Sequence, residues 1–145
     1  MVQSRAHFLL AGDGSDIPTI QTTLQRLPVD AYGQVFLEVA SPFRYQPISA
    51  PEGIGITWLF RDPGDGIQNP VAPRGERLVE ALQGWLAEWM PEWHLPEDPL
   101  VLWIGCCDSP LVDEFYVALR TERPQLHLHH PHDDTLTEHA GEDRR

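Results

Sequence analysis

Two short glycine-containing segments each follow an apolar run and precede a segment with helical periodicity. They are Gly12-Asp13-Gly14-Ser15 and Gly105-Cys106-Cys107-Asp108. An open parallel sheet binds its ligands at such positions, outside the carboxyl ends of its strands. Backbone N–H groups and the positive end of the helix dipole favour a phosphate there. The first turn is therefore a candidate phosphate site, with Gly12, Asp13, Gly14 and Ser15 as candidate contacts.

The same turn carries two carboxylates, which leave other interpretations open. Asp13 and Asp16 both bring negative charge to it, and its spacing departs from G-x-G-x-x-G. These carboxylates could instead accept a hydrogen bond from a ribose hydroxyl. A glycine after a strand is also common in tight turns that bind nothing. Arg61, directly after a predicted strand, is open to two interpretations as well, a phosphate contact or a solvated loop arginine.

The second turn contains the only two cysteines of the chain, Cys106 and Cys107. A helix N-terminus can stabilise a thiolate, but Asp108 opposes one and no basic partner is close in sequence. A small buried thiol is the favoured interpretation. Adjacent cysteines do not bridge each other, and zinc ligands are usually separated by about two to four residues. The absence of a disulfide framework fits a reducing compartment.

A third candidate for chemistry is the histidine-rich end of the chain. His127 and His129 would share one face of a strand. Further nitrogen and oxygen ligands follow at His130, His132, Asp133 and Asp134. Such clusters bind divalent metals, although a histidine tract in a polar terminus is usually adventitious. We therefore assign no metal ligand and no catalytic residue, and keep a metal-handling protein as an alternative.

Strand-like apolar runs alternate with helix-period segments through the first 120 residues. This alternation predicts an α/β fold, a three-layer open parallel sheet of four to five strands, Rossmann-like in layout. The predicted strands cover 7–11, 34–39, 54–60 and 100–104, with one edge strand after Pro124 and disorder beyond it. The Pro-rich connection 41–53 predicts at most a short helical turn, and the Pro/Gly-rich loop 61–73 is a candidate functional or mobile segment.

Three helices are predicted between these strands. The first begins at Ser15 or Asp16, with Pro18 in its first turn, and ends before Pro28. The second covers 74–90, and the third runs from about Ser109 to Arg120 with Asp108 or Ser109 as its cap. Residues at helical spacing predict a buried face for two of these helices. They are Ile17, Ile20, Leu24 and Leu27 in the first helix, and Leu78, Val79, Leu82, Trp85, Leu86 and Trp89 in the second.

Length and charge exclude several classes of function. A chain of 145 residues forms one domain by default, and no apolar run approaches the roughly 20 residues that cross a bilayer. The net charge is −12, and all ten basic residues are arginine. This charge disfavours nucleic acid and anionic membranes as partners, and the lack of lysine excludes lysine chemistry. We expect a cytoplasmic protein, and the arginine bias suggests GC-rich, bacterial coding.

Three segments resemble the C-terminal domain of siderophore-interacting proteins, which are flavin-dependent ferric-siderophore reductases related to ferredoxin reductases. They are 8–13 with 17–20, then 35–39, then 56–61, and the strand 101–105 follows in the family's order. The resemblance covers about residues 6 to 121. It implies a ferredoxin-reductase type of nucleotide-binding domain over 1–124, followed by a His/Asp-rich tail over 125–145.

In that family this domain binds NAD(P)H, and hydride passes to FAD in a β-barrel before electrons reduce Fe(III). The resemblance places Gly12 and Asp13 at the pyrophosphate, Arg61 near the adenosine, and Gly105 and Cys106 near the nicotinamide. Because the resemblance begins at the dinucleotide domain, we expect FAD only through a partner, a separate FAD-binding barrel protein. Ferric siderophore would then be met only indirectly, during iron acquisition.

The leading hypothesis is therefore a stand-alone nicotinamide-dinucleotide-binding module of a ferric-siderophore oxidoreductase. The turn Gly105-Cys106-Cys107-Asp108 departs from the small alanine-glycine-glutamate turn that is usual in the family, and the tail departs from its aromatic and basic segment. These departures support an alternative, a degenerate non-catalytic domain with an interaction or regulatory role.

Overall fold

The computed structural model describes residues 7–62, 71–90, 100–106, 108–124 and 126–130. Its five strands are β1 His7–Asp13, β2 Tyr32–Val39, β3 Gly53–Phe60, β4 Leu100–Ile104 and β5 His127–His129. Its three α-helices are α1 Ile17–Arg26, α2 Glu76–Trp89 and α3 Pro110–Glu122. Short 3-10 turns cover Gly14–Asp16 and Pro42–Arg44. The predicted strands and helices are all present, including the short turn in the 41–53 connection.

All neighbouring strands are parallel, in the order β3-β2-β1-β4-β5. The chain therefore builds outward from β1 to β3 and then returns to the other side of β1. The strand order reverses between β1 and β4, which is where doubly wound sheets bind ligands. The predicted α/β fold with an open parallel sheet is confirmed.

Two apolar cores lie on opposite faces of the sheet because successive strand residues point to opposite sides. Leu9 and Ala11 of β1 belong to the core beneath α2 and α3, whereas Leu10 belongs to the core beneath α1. The predicted face of α1 is buried at Ile17, Ile20 and Leu24. These cores hold the carboxyl ends of the strands in a fixed arrangement.

The buried face of α2 is shorter than its periodicity predicts. Leu78, Leu82 and Trp85 are buried, but Trp89 is 50% exposed, so its assignment to the core is wrong. Trp89 is the last residue of α2, and its ring stacks on Trp85 with centroids 5.9 Å apart. The Trp89 ring also contacts His7 at the start of β1, with centroids 5.9 Å apart.

Some boundaries also differ from the prediction. β1 continues through Gly12 to Asp13 because Gly12 pairs with Leu37 of β2, so the glycine does not end the strand. In α3 the predicted cap is confirmed, since the Ser109 hydroxyl accepts a hydrogen bond from the Val112 amide. Most of the predicted loop, residues 63–70, lies outside the described residues. None of the described helices is long and apolar enough to cross a membrane.

Candidate functional site

A cavity of about 620 Å³ opens at the carboxyl ends of β1, β2 and β3. This volume is in the range of small-molecule sites, which is roughly 300–1,000 Å³. The cavity is lined by Asp13, Gly14, Ser15, Ile17, Glu38, Val39, Ala40, Arg44, Tyr45, Gln46, Arg61 and Arg74. Four predicted site residues are therefore together in its wall, namely Asp13, Gly14, Ser15 and Arg61.

The other three predicted site residues surround the side chain of Asp16. Oδ2 of Asp16 accepts hydrogen bonds from the amides of Asp13, at 2.9 Å, and Cys106, at 2.7 Å. A Cβ added to Gly12 or Gly105 would overlap this carboxyl group, so both glycines leave room for it. Asp16 thus joins the turn after β1 to the turn after β4, across the point where the strand order reverses.

Asp13 organises the turn from the cavity side. Its Oδ1 accepts hydrogen bonds from the amide of Ser15, at 3.0 Å, and from the Ser15 hydroxyl, at 2.6 Å. Its Oδ2 lies 2.5 Å from Nη2 of Arg74. The expectation of free N–H groups in this turn is wrong at Asp13 and Ser15, because the protein's own carboxylates already accept from them.

The two carboxyl groups differ in acidity because their surroundings differ. Burial raises the pKa of Asp16 above its ordinary value, and the nearby Asp13 adds to this effect although two backbone amides oppose it. Burial would also raise the pKa of Asp13, but hydrogen bonds from Ser15, Arg74 and Asp16 outweigh it and lower that pKa. Asp16 therefore holds its proton more strongly than Asp13 does.

Asparagine at position 16 should copy the protonated carboxyl group, since its oxygen can accept from both amides while its NH₂ donates to Asp13. The unfolded Asp16 releases its proton near 3.8, below the folded pKa. Between pH 3.8 and the folded pKa of Asp16, the folded chain therefore binds more protons than the unfolded chain. The contribution of Asp16 to stability is complete below pH 3.8 and is lost as the pH rises through the folded pKa. Urea unfolding should show Asp16→Asn gaining stability relative to the native chain as the pH rises above 3.8.

Glu80→Gln, which removes an exposed carboxylate from α2, controls for the change in net charge. It should show no gain across the same pH window. A constant difference between Asp16→Asn and the native chain at every pH would contradict the raised pKa of Asp16.

Three arginines reach the cavity from different segments of the chain. Arg44 follows β2, Arg61 follows β3 and Arg74 precedes α2. Arg74 is engaged by Asp13, whereas Nε of Arg61 lies 4.0 Å from Oε1 of Glu38. A protein of net charge −12 thus presents arginine side chains at the carboxyl ends of its strands.

Glu38 is a buried carboxylate that joins β2 to the start of α2. Its two oxygens accept hydrogen bonds from the amides of Gly75, at 2.7 Å, and Leu78, at 3.0 Å. The negative charge at a helix N-terminus is favoured by the helix dipole. Glu38 therefore fixes Arg74 and Gly75 at the edge of the cavity.

Cys106 does not line the cavity and is fully buried in the core beneath α2 and α3. Burial, together with the negative charges of Asp13 and Glu38, raises the pKa of its thiol to about 12. A thiol of this kind is neutral near pH 7 and is a poor nucleophile. The prediction of a small buried thiol is confirmed for Cys106, and Cys107 lies outside the described residues.

His130 is packed against the folded domain, although the sequence predicts a polar tail from residue 125 onward. It is 3% exposed, its Nδ1 donates to the Ile104 carbonyl at 2.6 Å, and its ring stacks on Tyr116. His127 and His129 are exposed on β5, the predicted edge strand. The described part of the chain contains no group of three metal-ligating side chains, and His132, Asp133 and Asp134 lie outside it.

Sequence reasoning missed Arg44, Arg74 and Glu38 as parts of the site. The only local signal was Glu38, a charged residue within the otherwise apolar run 35–39. A charge at such a position is rarely buried without a partner. The arginines carried no signal, because they are separated by 17 and 13 residues and meet only through the sheet.

Two curated proteins are similar to this chain in sequence. The chain is 46% identical over 118 residues to the ferric vibriobactin reductase ViuB of Vibrio cholerae, which covers 81% of this chain and 41% of that protein. It is 37% identical over 84 residues to an uncharacterized protein of Mycobacterium tuberculosis, which covers 57% of this chain and 29% of that protein. The chain thus spans less than half the length of these curated relatives.

Solved structures show the same fold. A siderophore utilization protein from T. fusca superposes with a TM-score of 0.63 at 25% identity, over 90% of this chain and 44% of that one. The siderophore-interacting protein SipS from Aeromonas hydrophila gives a TM-score of 0.55 at 21% identity, over 89% and 50%. The model of the siderophore-interacting protein family matches residues 5–129. With most of its length matched, the chain belongs to the siderophore-interacting protein family.

Proposed function

We propose that this chain is a nicotinamide-dinucleotide-binding module that serves ferric-siderophore reduction. The observation that carries the proposal is the arginine-lined cavity at the carboxyl ends of β1, β2 and β3. Parallel α/β sheets bind dinucleotides at these ends, next to the point where the strand order reverses. Similarity to a ferric vibriobactin reductase supports a redox role.

The residues of this cavity fit a dinucleotide, but only partly at the contacts that the sequence predicts. Arg44, Arg61 and Arg74 supply cationic donors for phosphate oxygens, and guanidinium groups bind phosphates bidentately. A Cβ added to Gly14 would meet no atom within 4 Å, so the backbone there is open to close approach. The amides of Asp13 and Ser15 are engaged by carboxylates. We therefore propose that the arginines, more than the first turn, hold the phosphates.

A bound NAD(P)H would supply a hydride, and the transfer of its electrons to iron requires a flavin. We propose that FAD is held by a barrel domain outside these 145 residues. The role of this chain is then to bind and orient the dinucleotide. We assign Cys106 no part in proton transfer, because its thiol is buried and its pKa is raised to about 12.

Isothermal titration of the chain with NADPH and with NADH tests the proposal. We expect saturable binding of at least one of them, because the cavity combines adequate volume with cationic donors. Fluorescence gives a second readout, since Trp58 contacts the cavity residue Tyr45 with ring centroids 5.1 Å apart. No saturation by either cofactor at millimolar concentration would overturn the proposal.

The role in iron reduction has its own test. The chain, an FAD-loaded barrel domain of this family, NAD(P)H and a ferric siderophore are mixed, and Fe(II) is trapped by a chromogenic chelator. We expect Fe(II) only when all four are present. Fe(II) formation that does not depend on the chain would contradict this role even if the dinucleotide binds.

A second candidate is a domain that has kept the fold and lost the cofactor. It is favoured by Asp13 and Asp16, whose carboxylates occupy the turn amides where a phosphate would bind. This candidate predicts no binding of NADH or NADPH together with a folded, stable chain. The titration described above therefore separates the two candidates directly.

A further inference from the structure

We infer that the surface groove between α2 and α3 is a docking site for a basic amphipathic helix of a partner protein. No described residue lines both this groove and the cavity at the carboxyl ends of the strands. The inference therefore goes beyond the proposed function and does not depend on it. It rests on three features of the groove, which are its apolar floor, its acidic rim and its shape.

The first feature is an apolar floor that reaches the surface. Two adjoining cavities of about 340 and 250 Å³ form the groove, and both are lined by Phe115 and Ala118. Val79 and Phe115 are only partly buried, and they pack against the core beneath α2 and α3. Leu111, in the first turn of α3, is 39% exposed. Contiguous apolar surface with polar residues around it marks sites of protein interaction.

The second feature is the acidic rim. Of the described residues that line the groove, four are glutamates and one, Arg123, is basic. Nη1 of Arg123 donates to the Met90 carbonyl, so this guanidinium group is partly engaged within the protein. The glutamates are Glu76, Glu80, Glu114 and Glu122. Because complementary charges attract across an interface and like charges repel, this rim favours a basic occupant.

The third feature is the shape of the groove. The first turns of both helices line one cavity and their last turns line the other, so the groove follows both helices from end to end. Helices of 14 and 13 residues give it a length of about 20 Å. The small side chains of Ala87 and Ala118 leave room for close approach. A helix of about four turns fits this length, with its apolar face toward the floor.

The charges of this chain argue against the chain itself as the occupant. Each of the three described α-helices carries a single arginine and no lysine, and the net charge of a second copy is −12. Residues 131–145 carry five acidic and two basic side chains. Both would bring an excess of negative charge to a negative rim. A different protein, with basic side chains beside an apolar helical face, is the occupant that matches the groove.

A designed peptide tests the inference on the whole chain of 145 residues. The peptide has about 16 residues, with leucine and alanine along one helical face, arginine on both flanks and a terminal fluorophore for anisotropy. A scrambled peptide of the same composition lacks the apolar face, and an acidic peptide has glutamate for each arginine. We expect the basic amphipathic peptide to bind at least about tenfold more tightly than either control. Its advantage over the acidic peptide should shrink as salt is added.

A pair of variants on α3 tests the apolar floor. Leu111→Gln should weaken binding of the basic amphipathic peptide about fivefold, because the peptide then buries less apolar surface. Val117→Gln is the matched control, since Val117 is 62% exposed on the same helix and does not line the groove. It should leave the affinity within about twofold. Circular dichroism establishes that each variant is folded.

A second pair of variants tests the acidic rim. Glu80→Gln combined with Glu114→Gln should weaken binding about fivefold, because two exposed ion pairs with the peptide are lost. Glu52→Gln combined with Glu88→Gln makes the same change in net charge at exposed residues outside the groove. This control should leave the affinity within about twofold. A general attraction of basic peptides to an acidic protein would instead weaken equally in both double variants.

Several results would overturn the inference. They are equal binding of the scrambled or acidic peptide, and equal losses in the groove variants and their controls. Sedimentation gives a third, a dimer of the chain that Leu111→Gln dissociates and Val117→Gln does not, because a second copy would then occupy the groove. Failure of NADH and NADPH to bind would overturn the proposed function alone, since the groove and the cavity are lined by different residues.

Discussion

Gly33→Ala should lower the free energy of unfolding by at least about 3 kcal/mol, or prevent folding altogether. Gly33 lies in β2 with φ of 145°, a conformation that residues with a side chain rarely adopt. A Cβ there would also overlap the backbone carbonyl of Phe8, its partner on β1. Gly33 lies near the start of β2, at the opposite end of the strand from the cavity, so ligand binding should fall only as far as the chain fails to fold. Urea unfolding followed by tryptophan fluorescence measures the effect.

Gly84→Ala provides the matched control for this substitution. Gly84 lies within α2, and a Cβ there would meet no atom within 4 Å. Alanine is the better helix former, so this variant should gain up to about 1 kcal/mol. The two variants add the same methyl group. The difference between their free energies of unfolding therefore measures the cost of the backbone conformation and the close approach at Gly33. Similar stabilities for both variants would contradict this account of β2.

Glu38→Ala should cost about 3 kcal/mol of folding free energy, because it leaves two buried amides without acceptors. These amides belong to Gly75 and Leu78 at the start of α2. The substitution also removes a carboxylate that lies 4.0 Å from Nε of Arg61. We expect the first turn of α2 to loosen, and amide hydrogen exchange at Leu78 to accelerate together with the loss of global stability.

Glu38→Gln separates hydrogen bonding from simple loss of contact. Glutamine keeps the size of the side chain and one carbonyl oxygen, but its NH₂ group would face an amide donor. The loss should therefore be smaller than for alanine, although clearly measurable. A change below about 1 kcal/mol for Glu38→Ala would show that the helix start does not depend on this carboxylate.

The elements of the fold were predictable because their signals are local. Ser109 and Pro110 mark the start of α3 through cap and first-turn geometry, which involves only neighbouring residues. The apolar run 100–104 matches β4 because a strand covered on both faces needs apolar residues throughout. Boundaries set by pairing were less accurate, as the continuation of β1 through Gly12 shows.

The candidate site was predictable only in outline. The first turn could be located because strand, glycine and helix follow one another directly, and Asp13, Gly14 and Ser15 do line the cavity. From the sequence, Asp16 brings negative charge to the first turn or accepts from a ribose hydroxyl, whereas in the structure it accepts from an amide 90 residues away, at Cys106. Its raised pKa follows from that burial and had no sign in the local sequence.

The sequence by itself determined the class of fold, the order of strands and helices along the chain, and the acidic, lysine-free character of the protein. Periodicity and capping are short-range properties, so composition and spacing suffice for them. Only the tertiary structure decided that Arg44, Arg61 and Arg74 share one cavity and that Glu38 serves α2. Those contacts depend on the register of parallel strands, which join residues far apart in sequence and bring their carboxyl ends to one edge.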